Sequence, residues 1–341
     1  MQSVYKWLLN KRNGIDAPRR DKMVTIMARE HGVSEPTIKR AMYRDIIKRG
    51  CGFTDYFRGD YFSATEEQKD TFVTSKSFYQ IIKYLNDNAY YIALDDKLIF
   101  NEFFRGYLGR AFLNLHEADA DDLAAFLEGR ETVFAKDPTG FGGHGVEKID
   151  VSAVTDPEAL YRRLTERGQF LVEEAIEQCD ELNQINPTVV NSFRVVTLYK
   201  DGEAHLVGNA LRVNQEADAV VGCSNDLYFS LGEDGRIDSN VIDDWGNVYE
   251  EHPLTGKRFA DVRIPGVAEA FEMCRRAALK IPQVRYVGWD IAFSKDGPVM
   301  VEGNQYPGYG IIQFTKLKGE RTGHLKTIRD VLGDEMANIQ L

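Results

Sequence analysis

Asp290, Glu302 and Asn304 are the residues of this chain best suited, by type and spacing, to hold a metal ion. Asp290 lies in Val287-Gly-Trp-Asp-Ile-Ala-Phe, and the other two lie in Pro298-Val-Met-Val-Glu-Gly-Asn-Gln. Both stretches read as strands, separated by the turn Lys295-Asp-Gly-Pro. Residues two apart on a strand share a face, so Glu302 and Asn304 project together. A hairpin then brings Asp290 beside them. Two carboxylates and an amide oxygen are hard donors, suited to magnesium held together with nucleotide phosphates. The acids sit inside apolar strands, where a carboxylate is rarely buried without a partner.

A second group of residues suits an anion. Lys136-Asp-Pro-Thr-Gly-Phe-Gly-Gly-His-Gly-Val places glycines at 140, 142, 143 and 145. Without side chains these positions let the backbone approach a phosphate and expose N–H donors. Lys136, at the end of the preceding strand, adds a point charge. The run lacks the Gly-Lys-Ser/Thr of a P-loop, and a strand rather than a helix follows it, which excludes the dinucleotide fingerprint. A hairpin gripping phosphates fits better, with His144 either a further phosphate contact once the loop closes or an exposed bystander. Arg194, in Asn191-Ser-Phe-Arg-Val-Val-Thr, faces away from Phe193 and Val195. It suits a phosphate, a carboxylate or a structural ion pair. Phe170-Leu-Val-Glu-Glu-Ala-Ile is an apolar strand ending in acids, and Asp180 and Glu181 follow it. Such a hinge can offer backbone groups to a flat base, and either acid can bind ribose hydroxyls.

The elements that must position these groups alternate. Residues 1–95 read as mostly helical, with helices near 19–31, 34–49, 65–72 and 75–87. Asp95-Asp-Lys-Leu-Ile-Phe opens another, with its acids at the start. Strands are expected at 132–136, 146–149, 170–174, 193–200 and 203–213, and a strand pair around 226–241. Helices are expected at 156–168, 266–281 and 320–332, with a loop at 214–225. Three parts follow: 1–95 helical, 96–174 a lobe with the glycine hairpin, and 175–341 a lobe with the metal site.

The chain has 341 residues and a net charge of −11. Its length suggests more than one lobe. No apolar run approaches the roughly 18 residues of a membrane-spanning helix, and the N-terminus lacks the apolar stretch of a signal peptide. Four scattered cysteines without a C-x-x-C pair read as free thiols of a reducing cytoplasm. Residues 1–50 carry twelve Lys/Arg against five Asp/Glu, leaving the rest strongly acidic. That basic front suits an anionic partner: nucleic acid, a lipid surface or a sugar phosphate. Residues 30–40 also have the Gly turn, Ser cap and basic helix of a helix-turn-helix, so a nucleic-acid-binding regulator acting through 34–49 stays open as an alternative.

The order of these pieces resembles the ATP-grasp superfamily: Asp96-Lys97, the strand lysine Lys136, the glycine hairpin, a Val-Glu-Glu hinge, an arginine-bearing strand, then Asp290 and Glu302-x-Asn304. More closely, the chain resembles the sugar-transfer-associated ATP-grasp family, found with polysaccharide genes. The likeness extends over most of residues 45–330, through Cys51-Gly-Phe-Thr-Asp-Tyr-Phe, Leu94-Asp-Asp-Lys-Leu-Ile-Phe, Asn191-Ser-Phe-Arg-Val-Val-Thr and Trp289-Asp-Ile-Ala-Phe. It implies an α+β fold in which two lobes grip ATP, preceded by a helical region. It implies that Lys97 and Lys136 contact ATP phosphates together with Gly140, Gly142, Gly143 and His144. Glu173, Glu174 and Ile176 would frame the adenine, largely through backbone. Glu181 would bind ribose, with Asp180 as the alternative because residues 177–187 depart from better-known members. Asp290, Glu302 and Asn304 would hold Mg2+. The implied activity is an ADP-forming carboxylate–amine ligase, with Lys136 and Arg194 assisting phosphoryl transfer, in polysaccharide biosynthesis. Its substrates would be a small carboxylate and an amine, including a uronic acid or other part of a glycan or lipid-linked sugar. A peripheral membrane contact is compatible with that, and no nucleic-acid partner is expected. An ATP-grasp kinase acting on a hydroxyl is the alternative chemistry.

Overall fold

The structure, a computed structural model, describes residues 17–140, 145–217 and 225–341. The chain forms two compact units. One combines residues up to Tyr84 with Gly308–Leu341, and the other is Leu85–Pro307.

The first unit is helical, as its sequence led one to expect. Helices α1 (Ala17–His31) and α2 (Glu35–Arg49) are joined by a turn in which Gly32 takes a positive φ of 64°. Pro36 sits in the first turn of α2, where its missing N–H costs nothing. Met23, Val24 and Met27 of α1 and Ile38, Met42 and Ile46 of α2 are buried. Short helices α3 (Phe53–Arg58) and α4 (Glu66–Lys69) precede α5 (Ser75–Leu85). The C-terminal stretch adds α12 (Thr315–Lys318) and α13 (Leu325–Leu332). Asp55 ties the two stretches together by accepting from Ser75 N at 2.8 Å and Tyr309 Oη at 2.9 Å. Part of the basic front is spent internally, since Arg49 pairs with Glu66 and Asp70, and Lys39 with Asp21. The last helix starts at Leu325, later than the expected 320.

The second unit holds two antiparallel sheets. The smaller has strand order β1-β4-β2-β3, with β1 (Phe112–Asn114), β2 (Thr132–Lys136), β3 (Val146–Asp150) and β4 (Leu171–Glu174). Its alternation is clean: Val133, Ala135 and Val172 join a core with Leu123 of α8 (Ala120–Leu127) and Leu160 and Leu164 of α9 (Pro157–Glu166). Phe134, Lys136 and Glu173 take the alternate positions. Asp119 and Asp156 cap those two helices through backbone N–H groups.

The larger sheet has order β7-β6-β5-β8-β9. Its strands are β5 (Ser192–Lys200), β6 (Glu203–Asn214), β7 (Asp226–Phe229), β8 (Tyr286–Ser294) and β9 (Gly297–Asn304). Phe193, Val195, Leu211, Val213, Trp289 and Ile291 pack with Phe271, Cys274 and Ala277 of α11 (Val267–Lys280) in the main core. The intervening residues Arg194, Asp290 and Arg212 fall on the opposite face. Pro298, which cannot donate to a ladder, lies on the edge strand β9. The strand pair expected around 226–241 is β7 followed by single bridges, Tyr228 to Ile242 and Leu231 to Ile237. The polar stretch after β4 contains one helical turn, α10 (Asp180–Asn183).

Candidate functional site

The β8–β9 hairpin sets Asp290 directly opposite Glu302, and β5 sets Arg194 opposite Asp290. A register shift just after Asp290 lets the hairpin absorb one extra residue on β9. Arg194, Asp290 and Glu302 therefore form a row across three strands, and Asn304 lies two residues beyond Glu302.

The row is electrostatically uneven. Arg194 grips Asp290 with both arms of its fork, Nε to Oδ1 at 2.5 Å and Nη2 to Oδ2 at 2.8 Å. Its remaining arm, Nη1, donates to Pro307 O at 2.7 Å. Burial alone would push the Asp290 carboxyl up, but the Arg194 charge and hydrogen bonds, helped by Arg212, hold it below its ordinary value. Among the described residues Glu302 has no such cation. Burial first, and the charge of Asp290 second, push its carboxyl up. Asn304 donates to it, with its amide 3.2 Å from Glu302 Oε1 and 3.4 Å from Asp290 Oδ2.

That imbalance is the test of fit for a divalent cation. Two carboxylates side by side, one short of positive charge and each with spare lone pairs, repel one another until a cation lies near both. An Asn304 amide turned to present its oxygen completes a hard donor set. Glu302 and Asn304 fit most directly, while Asp290 is already committed to Arg194. Among the described residues no three His, Cys, Asp or Glu side chains converge in the manner of a metal cluster, and here the third donor is an amide.

The second half of the site sits on the small sheet. Glu173 of β4 is buried, 2% exposed, and faces Phe134 across the ladder. Lys136, two residues along β2, reaches it diagonally and forms an ion pair. Arg110 Nη2 donates to Glu173 Oε1 at 2.7 Å, and Asn101 Nδ2 to the same oxygen at 2.8 Å. Burial works against this carboxylate, yet the Lys136 and Arg110 charges win and hold it down to about 2. Glu174 points elsewhere and accepts from Ala111 N at 3.0 Å.

Lys97 links the two halves. Asp96, which follows the short helix α6 (Ile92–Asp95), caps the next helix, α7 (Lys97–Phe103), by accepting from Leu98 N and Ile99 N. Lys97 N donates to Pro138 O at 2.9 Å, and Nζ to Gly140 O at 2.5 Å, so the lysine is docked on the first arm of the glycine hairpin. Burial pulls its ammonium below the ordinary value. Glu302 opposes this and Lys136 adds to it, so both halves lie within electrostatic reach of one amine. The hairpin is closed at its neck by Asp137 N donating to Gly145 O at 3.0 Å. Gly142, Gly143 and His144 lie outside the described residues.

Beyond β4, Ile176 is half-buried and the 177–191 segment is built around Gln178, whose Oε1 accepts from Asn191 N at 2.7 Å. Asp180 is exposed and Glu181 half-buried at the start of α10. Among the described residues, neither is joined to the row of acids by a hydrogen bond or ion pair.

Sequence reasoning missed Asn101, Arg110 and Arg212. Asn101 had a usable signal, because it lies four residues after Lys97 and so on the same helical face. Arg212 had one in the alternation of β6, where Ala210 pairs with Arg194. Arg110 had none, since it precedes β1 in an irregular stretch.

A helix-backed antiparallel lobe carrying a lysine and a glycine hairpin, with a second sheet carrying an acid–acid–amide row, defines the ATP-grasp fold. The chain belongs to the sugar-transfer-associated ATP-grasp family, whose sequence profile matches residues 77–329. No curated protein matches it. Among solved structures it is similar to the ATP-grasp ligase PsnB complexed with a minimal precursor, at 16% identity and a TM-score of 0.42, covering 73% of this chain and 62% of that one. It is similar to D-alanyl-alanine synthetase A from Vibrio cholerae O1 biovar eltor strain N16961, at 14% identity and a TM-score of 0.39, covering 72% and 65%. A third is the L-amino acid ligase from Bacillus licheniformis, at 13% identity and a TM-score of 0.40, covering 71% and 48%. The chain thus spans a little under two thirds of the length of the first of these ligases.

Proposed function

We propose that this protein is an ATP- and magnesium-dependent ligase that activates a carboxylate as an acyl phosphate and joins it to an amine. The observation that carries the reading is Lys97, docked on the glycine hairpin by its backbone N–H and its ammonium, with Glu302 and Lys136 both among the charges that act on that ammonium. A triphosphate needs cations along its length and a divalent ion at its end, and this row supplies positions for both.

In this reading Lys97 and Lys136 bind phosphate oxygens, with Gly140, Gly142, Gly143 and His144 lining the same hairpin. Backbone groups of Glu173, Glu174 and Ile176 meet the adenine, and Glu181 or Asp180 meets the ribose. Asp290, Glu302 and Asn304 hold magnesium, which when bound offsets the charge that develops on the transferred phosphoryl group. Arg194 keeps Asp290 ionised and oriented. A substrate carboxylate oxygen attacks the γ-phosphorus, the β–γ bridge breaks and ADP leaves. The amine nitrogen then attacks the acyl carbon, inorganic phosphate leaves with the electron pair, and the amine's proton passes to solvent. Phosphorylation is needed because a carboxylate is a poor electrophile with a poor leaving group.

The family's association with sugar transfer supports a carboxylated sugar, such as a uronic acid in a glycan or lipid-linked precursor, as the acid partner. Three described cysteines, Cys51, Cys179 and Cys274, are free and buried, which supports a reducing, cytoplasmic setting. Among the described residues no helix is long and apolar enough to cross a membrane. The deciding experiment screens carboxylates against amines for ADP release, with mass detection of products. An amide is the expected product, whereas a stable phosphate ester would make the protein a kinase. Lys136→Ala should abolish ADP release while leaving the fold intact, and normal turnover in that variant would overturn the site.

A further inference from the structure

Glu173 is shared by two cations of unequal freedom. The Arg110 side chain is 4% exposed and that of Lys136 is 19% exposed. Arg110 is also held from behind, with Nη1 donating to Met300 O at 2.7 Å and to Leu108 O at 3.2 Å. It therefore spans from the small sheet to β9, two residues before Glu302, and stays where it is. Asn101, 1% exposed, holds the same oxygen of Glu173 as Arg110 does. Among the described residues, Lys136 alone holds the other oxygen, Oε2.

This division has a physical consequence. A buried carboxylate stripped of its only cation is strongly disfavoured. With Lys136 as sole partner, Glu173 would compete with any phosphate for the ammonium. With Arg110 and Asn101 fixed on Oε1, the carboxylate stays compensated after the lysine swings away. We propose that Arg110 is a positioning residue that neutralises Glu173, so that the Lys136 ammonium passes from Glu173 to a nucleotide phosphate. The inference rests on the ATP reading above and adds a residue that no part of that reading uses. It also gives a reason for the buried acid, which is a parking place for the lysine that keeps it extended along β2.

The test is binding of magnesium and a non-hydrolysable ATP analogue to the full chain, by titration calorimetry. R110M should weaken binding by about tenfold or more, equivalent to ~1.4 kcal/mol. E173Q added to R110M removes the competitor, and the double variant should return to within about threefold of the wild type, as a coupled pair requires. R110K keeps the charge but shortens the reach to Met300, and should recover most of what R110M loses. If R110M does not fold, R110K against the double variant decides. A charge hand-off leaves both binding well, whereas a purely structural strut leaves both weak. Unchanged binding in R110M, or a double variant as weak as R110M, overturns the proposal while the ATP reading stands. A wild-type chain that binds no nucleotide overturns the ATP reading itself and the hand-off with it.

Discussion

Asp290 and Glu302 face each other on adjacent strands and yet occupy opposite electrostatic surroundings. Asp290 is a structural acid as much as a ligand, because the Arg194 fork takes both its oxygens. Replacing it by asparagine strands a buried guanidinium, which typically costs about 3–5 kcal/mol. Asp290→Asn is therefore expected to lower the urea midpoint markedly as well as to weaken magnesium dependence. Among the described residues Glu302 has no ion-pair partner, and burial and its neighbour both disfavour its charge. Glu302→Gln should cost less than about 1 kcal/mol, or stabilise slightly, because it removes a repulsion. Its loss in turnover should nonetheless be about 100-fold or more, the order seen when one electrostatic stabiliser is removed. Urea unfolding and ADP release measured side by side on the two variants check this. Equal stability losses would make Glu302 another structural acid and remove the basis for the metal assignment.

At the level of elements, the β8–β9 hairpin was legible because its information is local. Alternation put Glu302 and Asn304 on one face and the Lys295-Asp-Gly-Pro turn set the reversal that brings Asp290 beside them, whereas the register shift after Asp290, which sets it opposite Glu302 rather than Val301, had no signal in the alternation. The same holds for β2, β5, β6 and the Asp96-capped helix. What was not legible depends on pairing between distant segments. The Lys136–Glu173 pair needs β4 inserted between β1 and β2, an order that no local signal encodes. Arg110 becomes meaningful only once β4 and β9 both lie against it. Gly288 on β8 shows how tightly such long-range contacts are set. A Cβ there would lie 2.8 Å from Pro307 Cα and 3.1 Å from Arg194 Cδ. Pro307 is the residue whose carbonyl anchors Arg194. Gly288→Ala must therefore displace backbone or the arginine, costing about 1–3 kcal/mol as overpacking usually does. Gly202→Ala is the comparison, since there a Cβ meets nothing within 4 Å and only the positive φ of 92° resists. Thermal melts should show the larger loss at Gly288, with activity falling only in that variant. Equal losses would mean that the β8 strand tolerates the shift and that Arg194 is not wedged.

On the scale of the whole chain, the helical front read from the sequence is completed by the far end of the polypeptide, residues 308–341. Composition could not show this, because contacts such as Asp55 to Tyr309 join residues more than 250 positions apart. The C-terminal segment also gives that unit a pH response. His324 has its Nδ1 sealed from solvent with no hydrogen-bond partner among the described residues. Burial, and then the charge of Lys318, lower its ring to about 4 from an ordinary value near 6.5. Because the folded value is the lower one, the unfolded chain takes up the proton first. Stability from the neutral ring is complete above about pH 6.5 and is lost as pH falls from there toward 4, by at most about 3 kcal/mol. His252 in the other unit is lowered by burial as well, so a global melt mixes the two. Hydrogen exchange at pH 7 and pH 4.5 separates them. Protection in 17–84 and 308–341 should fall on acidification, and His324→Gln should blunt that fall without changing the response of 85–307. If the variant leaves the acid sensitivity of the helical unit intact, another group is responsible for it.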